Sequence, residues 1–184
     1  MDSQGPIAKY NQLLASSKFL FVVYYRGHWC PFCMSYLKTF QSLTPSISAA
    51  GGQTLIVTAE PASADLETTR KTTGYQGEAI IDPEHILAKY LRERGLLDVA
   101  ISEKKGYEHG LAQPSILVIK SDGTVLEKWA IVPSKMNMGG AKDRPELEQV
   151  WENVQAALEG KDKVHNAYKL ISVWNVIKGV IFGH

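Results

Sequence analysis

The chain has 184 residues, 45% hydrophobic and 21% charged, which excludes a disordered chain and is enough for one sizeable core. Its 20 Lys and Arg against 19 Asp and Glu leave a formal charge of +1 with no basic stripe, so no nucleic-acid partner is expected. Two cysteines cannot build a disulfide framework, and Met1-Asp2-Ser3-Gln4-Gly5-Pro6 shows no basic then apolar leader, so a reducing, cytoplasmic setting is the expectation.

In chain order, residues 6–16 suit a short helix with Ile7, Tyr10, Leu13 and Leu14 on one face. The continuous apolar run 19–25 suits a strand covered on both sides. From Cys30 to about Ala50 the spacing of Met34, Leu37, Phe40, Leu43 and Ile47 is helical, and Gly51-Gly52 ends it. Residues 53–58 read as a second buried strand, 62–73 as a helix closed by Gly74, and 78–81 as a short strand. Asp82 is a candidate N-cap, with Pro83 opening a helix through about Arg94. Residues 95–113 carry little pattern and read as a long loop. Residues 115–120 and 124–132 form a hairpin across Ser121-Asp122-Gly123. After an irregular stretch, 133–144, Pro145 opens a helix striped with Leu147, Val150, Trp151, Val154 and Leu158, ended by Gly160. This order predicts an α/β sandwich with a mixed sheet, residues 1–161, followed by an apolar, helix-compatible extension, 162–184. The extension has more apolar face than a solvated helix carries, so packing on its own domain and a homodimer interface through 163–184 are both open. It is too mixed for a membrane span.

The chemistry concentrates where the first strand ends. Both cysteines lie in Trp29-Cys30-Pro31-Phe32-Cys33, two residues apart, at the start of a helix. Two thiols on one helical turn can close a small disulfide, and helix N-terminal N–H groups favour a thiolate at Cys30. Pro31 suits the first helical position. Cys30 is therefore the expected nucleophile and Cys33 the resolving thiol; Arg26 and His28 would favour ionisation if close in space, and His28 as a solvated loop residue is equally open. A zinc site would need a second Cys/His pair at ligand spacing, which the chain lacks, so no metal is expected. If the first two strands are parallel, Glu60 lies at the same sheet edge as the cysteines and is a candidate proton acceptor for Cys33. Its alternative is a charge at a helix N-terminus. His109 is a weaker candidate for the same cleft.

The strand followed by Cys-x-x-Cys and a helix resembles the thioredoxin superfamily. The longer string Tyr25-Arg26-Gly27-His28-Trp29-Cys30-Pro31-Phe32-Cys33, with Gln113-Pro114-Ser115-Ile116-Leu117-Val118-Ile119 and Asp122-Gly123-Thr124, resembles peroxiredoxin-like members of the alkyl hydroperoxide reductase/thiol-specific antioxidant (AhpC/TSA) family over residues 6–160. The resemblance implies a thioredoxin-like three-layer sandwich with a central mixed sheet. It also implies an enzyme that reduces a disulfide, a peroxide or a small oxidised substrate with a Cys30/Cys33 dithiol. No prosthetic cofactor is implied; the reductant would be an external thiol such as thioredoxin or glutathione. It further implies a cis Pro114 facing the cysteines, with the Gln113 backbone free to bind substrate.

The chain departs from these families in four respects, one being that Cys30-Pro31-Phe32-Cys33 resembles the glutaredoxin dipeptide type more than the thioredoxin Cys-Gly-Pro-Cys. Typical peroxiredoxins carry Thr or Ser three residues before the reactive Cys and Pro seven before; here those positions are Gly27 and Val23. The usual second catalytic Arg has no assignable position. The buried Asp that thioredoxins place six residues before the first Cys is Tyr24. The missing hydroxyl tilts the expectation toward thiol–disulfide exchange, with peroxide reduction and a non-catalytic redox-sensing adaptor as alternatives.

Overall fold

The computed structural model describes residues 5–171. In order the elements are α1 (Pro6–Ala15), β1 (Phe19–Tyr24), α2 (Pro31–Ala49), β2 (Gly52–Thr58), α3 (Ser63–Thr73), β3 (Glu78–Ile81) and α4 (Ile86–Glu93). Then come β4 (Ile101–Ser102), β5 (Leu111–Ala112), β6 (Ser115–Lys120), β7 (Val125–Ala130) and α5 (Leu147–Leu158). The main sheet runs β3-β2-β1-β6-β7. β1, β2 and β3 are parallel, and β6 and β7 are antiparallel to their neighbours.

The central strand explains the layering. Side chains alternate across a strand, so β1 sends Phe19, Phe21 and Val23 to one face and Leu20, Val22 and Tyr24 to the other. The first set packs with Leu37, Phe40 and Ile47 of α2 and Val150, Trp151 and Val154 of α5. The second packs with Tyr10 and Leu13 of α1 and Leu87 and Leu91 of α4. A strand buried on both faces has to be apolar at every position, as 19–24 is. The result is the expected mixed α/β, thioredoxin-like sandwich.

This topology fixes the functional edge. Parallel β1 and β2 end together, Tyr24 beside Val57, which brings residues 25–33 alongside Glu60. Antiparallel β6 begins where β1 ends, Tyr24 opposite Ser115, which brings Gln113 and Pro114 to the same edge.

Four expectations change. The helix after Asp82 begins at Ile86, not at Pro83. Its N-cap residue is His85 rather than Asp82, but the Asp82 carboxylate accepts from the N–H groups of Ile86 (2.8 Å) and Leu87 (2.9 Å) across an intervening turn. The 95–113 stretch contains the β4–β5 pair, whose two-residue strands are too short to leave a period in sequence. The last helix begins at Leu147, because Pro145 is held in a bridge with Leu170. Finally, residues 162–171 of the extension form an irregular strap rather than a helix. Buried Glu127 on β7 anchors it, accepting from Lys163 Nζ (2.7 Å) and the Tyr168 hydroxyl (2.6 Å). The rest of the extension, and most of the surface read as a homodimer interface, lies outside the described residues. Among the described residues no helix is long and apolar enough to cross a membrane.

Removing the Asp82 carboxylate strands two N–H groups at the start of α4. Asp82→Ala should cost about 1–2 kcal/mol in urea unfolding, with little change in the slope against denaturant.

Candidate active site

Cys30 is the N-cap residue of α2, in extended conformation, and Pro31 is the first helical residue. Both cysteines are reduced and buried, Cys30 2% exposed and Cys33 0%. Two donors converge on Cys33 Sγ: the Arg26 backbone N–H at 3.4 Å and Arg144 Nη2 at 3.3 Å. The same Nη2 lies 3.9 Å from Cys30 Sγ. Arg144 is wholly buried, with its guanidinium 5.5 Å from the centre of the Tyr36 ring. Its Nε and Nη1 have no hydrogen-bond partner, and no carboxylate pairs with it among the described residues.

The backbone around Arg144 is held firmly. The Tyr36 hydroxyl donates to the Pro145 carbonyl (2.7 Å), Ile171 N–H donates to the Arg144 carbonyl (2.8 Å), and Glu146 N–H donates to the Lys169 carbonyl (2.9 Å). The irregular 133–144 stretch and the 162–171 strap together deliver one cation to the sulfurs.

The contact between the two sulfurs and the charge of Arg144 together shift the protonation of the pair. Burial alone would push the Cys33 thiol up, but the hydrogen bond from Cys30 and the charge of Arg144 bring it well below the ordinary thiol range. Cys30 moves the other way: it donates its proton to Cys33, and burial adds to the rise. Arg144 in turn is held protonated by the sulfurs against the effect of its own burial. These directions favour a pair made of one thiolate and one thiol that share a proton. The helix start alone pointed to a Cys30 thiolate. Instead the charge rests on Cys33, because both nearby donors aim there.

The other expected residues divide. The Arg26 backbone reaches Cys33, but its guanidinium lies over the Trp29 ring, 5.1 Å from the centre. Trp29 is 38% exposed; its Nε1–H donates to the Tyr107 hydroxyl (2.7 Å), which donates to the Arg26 carbonyl (3.3 Å). His28 gives its backbone N–H to Glu60 Oε2 (2.8 Å), and its Nδ1 lies 2.7 Å from Oε1. Both oxygens of buried Glu60 are therefore taken by His28, and no described hydrogen bond joins Glu60 to a sulfur. Burial raises the Glu60 carboxyl while the His28 contacts oppose the rise. Asp65 approaches the same imidazole nitrogen at 3.6 Å. His28, Glu60 and Asp65 are the described residues whose donor atoms lie close enough for a cation, within 4.8 Å of one another.

Two expectations about the β6 edge are corrected. The Gln113–Pro114 bond is trans, there being no cis peptide among the described residues. The Gln113 backbone is not free for substrate either. Its N–H donates to the Ala100 carbonyl (2.9 Å), because β5 runs into the loop beside β4, and its carbonyl accepts from the Ser115 hydroxyl (3.2 Å). His109 lines a cavity of about 270 Å³ with His85, Lys89 and Arg92, and Cys30 is not part of that lining.

Arg144 is the residue that sequence reasoning missed. It lies 111 positions from Cys33, in a segment with no periodicity, and nothing in its spacing marks it. Gly27 has a local explanation. A Cβ there would stand 2.5 Å from Trp29 Nε1 and 2.6 Å from Glu60 Oε1, so the position that carries a hydroxyl in typical peroxiredoxins is filled by those two side chains.

A thioredoxin-like sandwich with a reduced, charge-coupled cysteine pair at the end of its first strand defines a thiol-based redox enzyme. The AhpC/TSA family model matches residues 2–128, and the chain belongs to that family. Arg144 lies beyond the matched segment. Among solved structures the fold is similar to the peroxidoxin BcpB of Mycobacterium tuberculosis, with a TM-score of 0.59 at 11% identity over 82% of this chain and 84% of that one. It is also similar to AhpC of Enterococcus faecalis, with a TM-score of 0.55 at 17% identity over 80% and 81%. The bacterioferritin comigratory protein of Xanthomonas campestris gives 0.52 at 16% identity over 79% of each chain. No curated protein matches by sequence.

Gly27→Ala forces Trp29 or the Glu60 carboxylate to move. It should cost about 1–3 kcal/mol in denaturant unfolding, and Trp29 fluorescence should change in the folded state.

Proposed function

We propose that the protein reduces hydroperoxides, with Cys30 as the attacking sulfur, Cys33 as the resolving sulfur and Arg144 in place of the missing hydroxyl. The observation that carries this is the buried Arg144 guanidinium, which spans both sulfurs and keeps two nitrogens without partners. Donors fixed beside a nucleophile can hold one peroxide oxygen and stabilise the charge that develops on the other as the O–O bond breaks. Membership of the AhpC/TSA family supports the reading. So does the Xanthomonas campestris neighbour, which is described for its alkyl peroxide reduction activity.

The steps follow from the shared proton. Cys30 passes its proton to Cys33 and attacks the terminal peroxide oxygen. The O–O bond breaks, the alcohol leaves with the Cys33 proton, and Cys30 becomes a sulfenic acid. The Cys33 thiolate attacks the Cys30 sulfur, and the hydroxyl leaves as water with one proton from solvent. A thiol from outside the chain then returns the disulfide to the dithiol, which suits a reducing compartment. Glu60 and His28 act on this cycle by shaping the 26–29 loop, and Pro31 by starting α2 at Cys30.

Stopped-flow mixing of reduced protein with hydrogen peroxide and with an organic hydroperoxide, followed by Trp29 fluorescence, tests the reading. We expect a fast second-order phase that is lost in Cys30→Ser and stops at the sulfenic acid in Cys33→Ser. Slow reaction with both peroxides alongside fast reaction with glutathione disulfide would replace it with thiol–disulfide exchange.

A further inference from the structure

A cavity lined by cations with no anion among them gains electrostatic energy from an anionic guest. The cavity of about 270 Å³ between α4 and the chain that carries β4 and β5 is of this kind. His85 frames it. This side chain is 4% exposed, and its Nε2–H is shared between the carbonyls of His109 (3.1 Å) and Gly110 (3.0 Å), which ties the start of α4 to the loop. Lys89 and Arg92, three residues apart, share one face of α4, and His109 faces them from the loop. The Lys89 ammonium donates to the Glu84 carbonyl oxygen (3.1 Å), which carries no net charge. Among the described residues no ion pair engages Lys89, Arg92 or His109, and no acidic side chain lines the cavity. Two permanent cations and two imidazoles therefore converge without a counter-ion. The remaining lining, Ala88, Val99 and Ile101, is apolar.

We propose that this cavity binds the phosphate group of a small phosphorylated molecule, and that its occupancy steadies the loop beside Cys30. A phosphate monoester carries about −1.5 to −2 charges at pH 7 and three strong acceptor oxygens. That matches donors arriving from α4 on one side and from the loop on the other, where a planar carboxylate with two oxygens engages fewer of them. The apolar lining receives the carbon part. Pockets for drug-sized ligands begin at about 300 Å³, so this one suits a phosphate on a short carbon chain. The loop carries the effect onward. Its Tyr107 hydroxyl accepts from the Trp29 indole N–H (2.7 Å), and Lys104 Nζ lies 4.6 Å from the centre of the Trp29 ring. Trp29 directly precedes Cys30, so a ligand that fixes the loop fixes the indole at the mouth of the cysteine site. The cavity is separate from the sulfurs and adds no step to their chemistry.

Titration calorimetry of the full chain with glycerol 3-phosphate, at constant ionic strength in a phosphate-free buffer, tests the proposal. Saturable one-to-one binding is expected, about tenfold or more tighter than that of malonate and absent with glycerol. Lys89→Gln and Arg92→Gln change exposed positions and should fold; each should weaken binding about tenfold. Tryptophan fluorescence should change on saturation in the unmodified protein and not in Trp29→Phe. No peroxide or thiol is present, so this outcome and that of the peroxidase test are independent. Absence of saturation, malonate binding as tightly as the phosphate, affinity unchanged in both variants, or no fluorescence change that depends on Trp29 overturns the proposal.

Discussion

A guanidinium sealed from water beside two sulfurs is the constraint on which this site depends. A buried positive charge is tolerated when an anion accompanies it, and here the described residues offer sulfur and no carboxylate. Arg144 and the thiolate therefore stabilise each other. This mutual requirement explains why an irregular segment is tied so closely to the core. Tyr36 on α2 fixes Pro145, the 162–171 strap brackets residues 144–146, and Glu127 on β7 fixes the strap in turn. Chain that would otherwise be peripheral becomes part of the cysteine environment.

The sheet supplies the other half of the geometry. β1, buried on both faces, ends where β2 ends and β6 begins, so the sharp change of direction at residues 25–29 occurs at one packed edge. The loop keeps its shape through Glu60, which accepts from the His28 backbone N–H and pairs with its Nδ1, and through the Trp29–Tyr107–Arg26 chain of hydrogen bonds. Glu60 anchors the loop, both its oxygens facing His28, and none of its described hydrogen bonds reaches a sulfur. Its carboxylate and the Trp29 indole occupy the space a residue-27 side chain would need, so the absence of a hydroxyl there is a packing consequence of this loop.

Most of the fold was legible because its signals are local and periodic. The apolar run at 19–24, the helical spacing from Met34 to Ile47 and the Asp122-Gly123 turn each correspond to an observed element. Elements without a period were not legible: the two-residue strands β4 and β5, and the strap whose apolar residues suggested a helix. At the site, the Cys-x-x-Cys pair and its position at the start of α2 could be read directly, since spacing and a preceding strand define them. Arg144 could not, because its role comes from a contact across 111 positions and from a loop whose path depends on the strap. The cis expectation at Pro114 and the free Gln113 backbone came from resemblance; the bond is trans, and the Gln113 N–H is taken by the Ala100 carbonyl next to the β4–β5 pair.

The burial of Arg144 against the two sulfurs favours one thiolate that persists at neutral pH. Far-ultraviolet absorbance of the reduced protein, titrated with acid and compared with its doubly alkylated form, counts thiolates directly. One thiolate per chain at neutral pH, persisting well below the ordinary thiol range and lost in folded Arg144→Met, is the result this account predicts. Two protonated thiols at neutral pH, or a thiolate that survives in folded Arg144→Met, would contradict it.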